Sequence, residues 1–493
     1  MKYTAITLGP IIKTLGLAHK TRELWAASYF FSDLMEKIIE KLNLNDMIII
    51  PYPDKQNIIN NIQYKEKIKS AGIFPDRLLL KDSLLDQLQE ATKYAILELA
   101  DKYGFKCGMD QLTRYLNTYI IEFEYYSDDT NHSNVIYKAN DLLAIAELNA
   151  KYESRDSECF INMFEQLPQT DFYKSLFNKN LYGSSGFPSI LEISTQGLDT
   201  EAVELNDDEI EDDNKLWEKI KEKNPKFKIL HKYIAIVQAD GDNVGKIIGE
   251  IANQGIDEMK LFSKALSAFS IKAAEIIADY QGIPIYTGGD DLLFFAPVSN
   301  EQQNIFELIT KLDELFKIEI TDNFNSYTYI PSMSYGLSIT YYKFPMHEAL
   351  NNVRNLLFDI AKATKNKNAL AVNIQKHSRQ TYTTVITKPF TNKFESLIKK
   401  DEGLVINSVL HNLEEQKVLL GEALLSSSNA NLDEFFDHFY NEDIHNKSRD
   451  FINDIKELLK EVYNKNNQDY EKTLAQVKAQ LQIIKFLNDT KDE

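Results

Sequence analysis

The chain has 493 residues, with 55 Lys and Arg against 74 Asp and Glu, a formal net charge of -19. Hydrophobic residues make up 43% and charged residues 26%, which supports about three domains with buried cores and excludes wholesale disorder. Two cysteines, Cys107 and Cys159, exclude a disulfide framework and a four-cysteine zinc or iron–sulfur site, while a single disulfide stays open.

Residues 3–8 are apolar and β-prone and stop at Gly9-Pro10, too short a run for a signal peptide. From His19 to about Leu42 the apolar residues Leu24, Phe31, Leu34 and Ile38 recur at helical spacing. Residues 47–50 read as a short strand closed by Pro51-Tyr-Pro53, and 82–103 and 108–119 as helices. Strand–helix–strand order makes 1–195 a first α/β or α+β unit with a helical insertion. An acid block at 199–213 reads as a solvated loop or the charged start of a helix that carries Trp217, so 196–225 is taken as an acidic linker.

The second unit spans 226–389. Residues 229–237 form a buried strand, followed by Gln238-Ala-Asp-Gly-Asp-Asn-Val-Gly-Lys246. A helix fits 257–279, and 283–296 is strand, tight turn, strand around Gly288-Gly-Asp-Asp291. A helix at 300–318, a strand at 332–340, a helix at 346–364 and a strand at 369–374 complete the order. The β-α-β-β-α-β pattern is that of a ferredoxin-like fold. Residues 390–493 read as a C-terminal helical bundle, with helices at 391–399, 409–424, 431–439, 445–463 and 470–488. No run approaches 18 apolar residues, so no membrane span is expected and a cytoplasmic location is the default. The acidic total argues against a free-standing nucleic-acid binder, but not against local basic patches or metal-held nucleotide phosphates.

Two features carry chemistry. Gly288 and Gly289 suit a tight turn that lets a ligand approach the backbone, and Asp290 and Asp291 stand in that turn. Asp240 and Asp242 flank Gly241 where the second unit's first strand ends. In this topology that strand end sits beside the hairpin, which gathers four carboxylates that repel unless a divalent cation joins them. Hard oxygen ligands select Mg²⁺ or Mn²⁺, and two such ions activate a ribose hydroxyl and hold a triphosphate. Asn243 and Gly245 open the next helix, whose free amides favour phosphate. Lys246 fits a phosphate contact or a solvated helix tip. Lys362 and Lys367 fit a triphosphate contact or a helix C-terminus. Ser334 and Gly336 lie in a central strand, where a glycine implies close packing by something, a base among the candidates. In the first unit, His19, Lys20 and Arg22 are candidate RNA or nucleotide contacts, or an ordinary surface helix terminus. The loop Tyr182-Gly-Ser-Ser-Gly-Phe-Pro188 is a ligand contact or a structural turn. No histidine is followed by Asp, and zincin, hydrolase-elbow and P-loop patterns are absent.

The chain resembles the large palm-domain subunit of type III-B (Cmr-type) CRISPR effector complexes, whose palm is related to nucleotide cyclases. The resemblance rests on Ile6-Thr-Leu-Gly-Pro10 with Lys20-Thr-Arg-Glu-Leu-Trp-Ala-Ala-Ser-Tyr29, on Phe187-Pro-Ser-Ile-Leu-Glu-Ile-Ser-Thr195, on Asp240-Gly-Asp-Asn-Val-Gly-Lys246, on Gly288-Gly-Asp-Asp291 and on Lys365-Asn-Lys-Asn-Ala369. It implies an α+β chain of two ferredoxin-like palm domains, a helical middle region and a C-terminal bundle. It implies a target-RNA-activated nucleotidyltransferase that uses ATP to make an adenylate second messenger, either cyclic oligoadenylate or an S-adenosylmethionine–AMP adduct. Asp290 and Asp291 match the family's catalytic metal pair, Asp240 its other ligand and Asp242 an adjacent acid. Gly288 and Gly289 match the turn that admits the nucleotide. The implied partners are the other complex subunits, guide RNA and target RNA. With no His-Asp dipeptide, the nuclease domain of many members is expected to be missing, as is their four-cysteine zinc site. The remaining alternatives are a non-catalytic scaffold with a structural metal site, and a free-standing diguanylate-cyclase-like enzyme.

Overall fold

The computed structural model describes residues 1–126, 134–148, 157–177, 186–196, 198, 213–388, 391–400, 403–425, 429–439 and 448–488. The first unit is built on four strands: β1 (Lys2–Gly9), β2 (Ile48–Ile50), β3 (Arg77–Lys81) and β4 (Asn117–Glu124). They lie in the order β2-β3-β1-β4, with every pairing antiparallel. The Thr21–Leu42 helix joins β1 to β2, and the Leu85–Lys102 helix runs between β3 and β4.

β3 was not anticipated. Its Leu78-Leu-Leu80 run has no β-branched residue, so pairing against β1 decides its state rather than propensity. β4 starts at Asn117, where a helix was expected to continue to 119. The β-branched and aromatic residues Thr118, Tyr119, Ile120 and Ile121 favour the strand.

The second sheet contains β5 (Tyr233–Asp242), β6 (Ile283–Gly288), β7 (Asp291–Pro297), β8 (Ser332–Tyr341), β9 (Ala369–Gln375) and β10 (Thr381–Thr387). Its order is β10-β9-β8-β5-β7-β6, with only the β8–β9 pair parallel. The Val244–Ala252 and Ile256–Asp279 helices link β5 to β6, and the Ile305–Phe316 helix precedes β8. In both sheets the first strand of the unit lies between the third and the fourth. β10, with four Thr, one Val and one Ile, pairs beyond the last strand anticipated. Residues Ile229–Lys232 form a 3₁₀ turn rather than the start of β5.

The Thr21–Leu42 helix is buried on nearly every side because it lies between the two sheets. Its anticipated stripe is only part of what it buries, since Trp25, Ala26, Phe30 and Met35 are fully covered too. One core cluster joins it to Ile6 and Leu80 of the first sheet and to Ile236, Ile285 and Phe295 of the second. The Trp25 indole donates to the Ser70 carbonyl at 2.6 Å. A loop of the first unit also covers the β6 edge, where the Thr287 amide donates to Gly72 O at 2.8 Å.

At the other edge, the Gln476 side chain on the Tyr470–Asn488 helix donates to Val385 O on β10, which docks the C-terminal helices on the sheet. The span anticipated as one helix at 409–424 is two, Gly403–Glu415 and Lys417–Leu425. Trp217 is buried on the Asp213–Lys223 helix; the acid block at 199–212 and residues 182–185 lie outside the described residues. Cys107 and Cys159 form a disulfide, with Cα atoms 5.4 Å apart. Among the described residues no helix is long and apolar enough to cross a membrane.

Candidate functional site

The site forms where β5 ends beside the β6–β7 turn. Ala239 pairs with Leu292, so the next residues of β5 run alongside the hairpin tip. Gly289 has φ +66°, a left-handed conformation that glycine adopts without penalty, and open space lies beside it. Gly241 allows closure of the corner: a Cβ there would meet Asp290 Oδ2 and Val244 Cγ2 at 2.5 Å. Asp290 therefore lies directly over the backbone of β5.

Asp240 and Asp242 project to one face of β5 by strand alternation. Asp242 is fully buried, and its Oδ2 accepts from Ser334 Oγ at 2.7 Å, Ser332 Oγ at 3.0 Å and the Asn368 amide at 2.9 Å. Its Oδ1 is buried with no hydrogen-bond partner. Lys362 crosses the same corner: its ammonium lies 2.6 Å from Asp240, 3.9 Å from Asp242 Oδ1 and donates to Gly241 O at 3.0 Å.

Burial and then the Asp240 charge push the Asp290 carboxyl up to about 6, against an ordinary 3.8. Asp291 keeps a solvent-exposed edge at the rim of the turn. Desolvation by the protein packed around it, then the charges of Asp290 and Asp240, raise its carboxyl well above the usual range. Lys362 lowers both only in part. Three features thus fit a hard divalent cation: a buried carboxylate oxygen that accepts no hydrogen bond, two carboxyls raised by burial and crowding, and an all-oxygen donor set. As the side chains stand, no group of three or more His, Cys, Asp or Glu among the described residues is arranged to hold a metal. Lys362 neutralises Asp240, and Asp290 is turned over Gly241 toward the other side of the strand.

Beside the turn lies a cavity of about 360 Å³ between the two units. Gly288 to Asp291 form one wall, and Ile248, Ile251, Met259 and Phe262 form an apolar one. The first unit contributes Lys55, Asp76 and Arg77, none of which the sequence reading singled out. Lys55 is almost fully buried, donates to Ile73 O at 2.8 Å and lies 3.9 Å from the Phe74 ring centre. Burial lowers its ammonium to about 7. Burial also raises Asp76, and Arg77 opposes that rise in part. A lysine in a Pro-rich loop gave no sign of this burial, which comes from Ile73 and Phe74, far from it in sequence.

The other anticipated residues divide into groups. Asn243 precedes the Val244–Ala252 helix at φ +61° with its side chain donating to Ile330 O rather than capping, Gly245 faces open space and Lys246 lies 4.8 Å from the Tyr329 ring centre. Ser334 is buried and binds Asp242, so its role in this geometry is to brace that carboxylate. Lys367 sits at φ +51° in the turn before β9, next to Asn368, whose amide donates to Asp242. At Gly336 the close neighbour is helix backbone rather than a base: a Cβ would lie 2.5 Å from Val353 O. His19, Lys20 and Arg22 are not brought to the carboxylates. His19 instead lines a separate groove with Gln238 and His347. Lys20 is exposed and Arg22 half-buried at the start of the Thr21–Leu42 helix.

Residues 233–371 match the family model described as Cas10/Cmr2, second palm domain, and residues 3–106 match CRISPR-associated protein Cmr2, N-terminal. The Cmr subunit Cmr2 of Pyrococcus furiosus is 28% identical over 215 residues, 37% of this chain and 24% of that protein. The match thus spans about a quarter of the curated relative's length. A type III-B Cmr-beta structure in the apo state superposes with TM-score 0.57 at 12% identity, over 90% of this chain and 77% of the other. A type III-B Cmr-beta structure bound to cognate target RNA gives TM-score 0.55 at 12% identity, over 89% and 78%. Two segments of the chain thus match models of the Cas10/Cmr2 kind, part of the chain is similar to a curated Cmr2 subunit, and the Cmr-beta structures share its fold.

Proposed function

We propose that this chain is a divalent-metal-dependent nucleotidyltransferase of a type III-B CRISPR effector complex, built on two ferredoxin-like palm domains and using ATP to make an adenylate second messenger. The observation that carries the reading is the corner itself: the end of β5, with Asp240 and Asp242, runs beside the β6–β7 turn, whose Asp290 and Asp291 line the inter-unit cavity and have their carboxyls raised in part by the Asp240 charge. Asp240, Asp290 and Asp291 would hold Mg²⁺ or Mn²⁺, with Asp242 offering Oδ1. When bound, such ions lower the pKa of a ribose 3′-hydroxyl and offset charge on the triphosphate and departing pyrophosphate.

The chain's own residues then divide the remaining work. Ser332, Ser334 and the Asn368 amide fix Asp242, so one oxygen keeps a constant direction. Gly289, open at the turn, lets the nucleotide approach the backbone, while Gly241 makes room for Asp290 and Gly288 for the Tyr286 ring. The apolar wall of Ile248, Ile251, Met259 and Phe262 takes the base and excludes water. The amides at Asn243 to Gly245, with Lys246, Lys362 and Lys367, meet phosphate oxygens. No side chain need act as general base. The product is a cyclic oligoadenylate or an S-adenosylmethionine–AMP adduct, made beside guide RNA, target RNA and partner subunits.

Product analysis tests this reading. The purified guide-RNA complex is incubated with ATP, Mg²⁺ or Mn²⁺ and matching target RNA, with and without S-adenosylmethionine, and followed by mass spectrometry. An adenylate ring or an S-adenosylmethionine adduct supports it, and the choice between them identifies the acceptor. No RNA-dependent product in either arm rejects it. One observation favours a second reading, a non-catalytic scaffold: Lys362 already neutralises Asp240, and no three ligands converge among the described residues. Loss of complex assembly on removal of the carboxylates, without any product from the wild type, would favour that scaffold.

A further inference from the structure

The inter-unit cavity has a wall that the metal chemistry leaves unused. It comes from the first unit, where Pro75 and Asp76 end the segment 72–76 that leads into β3. This segment meets the β6 edge in a parallel bridge between Gly72 and Tyr286. Four residues further along each chain stand Asp76 and Asp290, so the segment carries a carboxylate toward the level of the turn. Both residues line the cavity, together with Asp291 and Tyr286. The electrostatics agree with that placement. After burial, the charges of Asp291 and then Asp76 push the Tyr286 phenol well above its ordinary value. Asp76 also adds to the rise of Asp291, behind burial, Asp290 and Asp240. Four polar contacts pin the segment. Lys55 donates to Ile73 O at 2.8 Å, the Phe74 amide donates to Ser32 Oγ at 2.8 Å, the Leu8 amide donates to Asp76 O at 2.9 Å, and Arg77 donates to Asn140 Oδ1 at 3.0 Å. Arg77 also pairs with Glu147 at 3.2 Å, which commits its guanidinium to the Val135–Leu148 helix. Among the described residues no ion pair claims the Asp76 carboxylate.

We propose that Asp76 reads the ribose 2′-hydroxyl of the nucleotide in this cavity, and so selects ribonucleotides over 2′-deoxyribonucleotides. This assignment rests on the nucleotidyltransferase reading and adds its sugar specificity. The walls sort a nucleotide by chemistry. The base goes to the apolar wall of Ile248, Ile251, Met259 and Phe262, and the phosphates go to the cations and metal ligands of the β5 corner. The sugar then lies at the turn, opposite Asp76. A carboxylate offers only acceptors and repels phosphate. The donors that a nucleotide presents between its base and its phosphates are the sugar hydroxyls. The same pairing, an acidic side chain on a ribose 2′-hydroxyl, recurs in dinucleotide-binding folds. The pinned backbone gives the contact its selectivity. A carboxylate held in place cannot follow a sugar that lacks the hydroxyl, so the hydrogen bond is lost and the acceptor stays unpaired in the filled cavity.

The test is equilibrium binding of ATP and of 2′-deoxyATP to the full chain with Mn²⁺, by isothermal titration calorimetry, for the wild type, Asp76→Ala and Asp76→Asn. The wild type is expected to bind ATP about tenfold more tightly than 2′-deoxyATP. In Asp76→Ala that ratio should fall to about 1, through loss of ATP affinity alone. Asp76→Asn keeps an acceptor oxygen without the charge and should give a ratio of about 3. Circular dichroism melts report the fold of each variant, and the isosteric Asp76→Asn carries the test by itself if Asp76→Ala unfolds. A role in packing alone would weaken both nucleotides equally and keep the ratio, which overturns the proposal. Equal binding of the two nucleotides by the wild type overturns it as well. So does an Asp76→Ala variant that keeps the sugar preference but loses its preference for ATP over purine riboside triphosphate, because Asp76 then reads the base amine. A wild type that binds neither nucleotide rejects the nucleotidyltransferase reading itself, and this assignment with it.

Discussion

Asp290→Asn should stabilise the protein at neutral pH while removing its response to metal. Asp290 titrates near 6 in the folded chain and near 3.8 when unperturbed. Between those values the folded state binds more protons than the unfolded one, so stability falls as pH rises through the window and the penalty is complete above it. The rise corresponds to about 3 kcal/mol as an upper bound, and partial solvent access and screening reduce it to about 1.5 kcal/mol. Asparagine keeps an oxygen to accept the nearby backbone amides and loses the charge. For a unit of about 150–250 residues this amounts to a Tm higher by about 3–6 °C at pH 8, and by almost nothing near pH 4. The assay is a thermal melt of both proteins at pH 4, 6 and 8, with and without Mn²⁺. Mn²⁺ should raise the wild-type Tm at pH 8 and leave Asp290→Asn nearly unmoved. Equal melts at pH 8, or an equal response to Mn²⁺, would refute the reasoning that charge crowding at this corner is relieved by a cation.

Gly241→Ala places a methyl 2.5 Å from Asp290 Oδ2, so it should displace that carboxylate, cut turnover at least tenfold and cost about 1–3 kcal/mol in a urea melt. Lys362→Met removes the cation that lowers the Asp290 and Asp291 carboxyls. Its pH–rate profile should show the acidic limb moved to higher pH, together with a turnover loss, and an unmoved limb would argue against this coupling. Gly336→Ala drives a Cβ into the carbonyl of Val353, so a denaturation midpoint should fall by the equivalent of about 2–3 kcal/mol with the carboxylates untouched.

Much of the corner was legible because its chemistry is local in sequence. Gly288-Gly-Asp-Asp291 and Asp240-Gly-Asp242 each announce a turn or strand end, and the β-α-β-β-α-β order brings those two places together. What escaped depends on packing between distant segments. Lys55 and Asp76 become part of the cavity only when the first unit closes on the hairpin, and their local sequence carries no periodic or motif signal. Ser334 was open to a ligand role until the register set it opposite Asp240 and within reach of Asp242. Gly336 signalled close packing correctly, but not that a helix backbone supplies it. β3 was hidden because leucine favours helix and strand pairing overrides that preference.

The most direct test of the central claim is ATP consumption by the guide-RNA complex carrying Asp290→Ala and Asp291→Ala, measured beside the assembly state of the same sample. The account predicts that the complex assembles normally and that target-RNA-dependent consumption of ATP disappears. Consumption at the wild-type rate in the assembled double variant would contradict it.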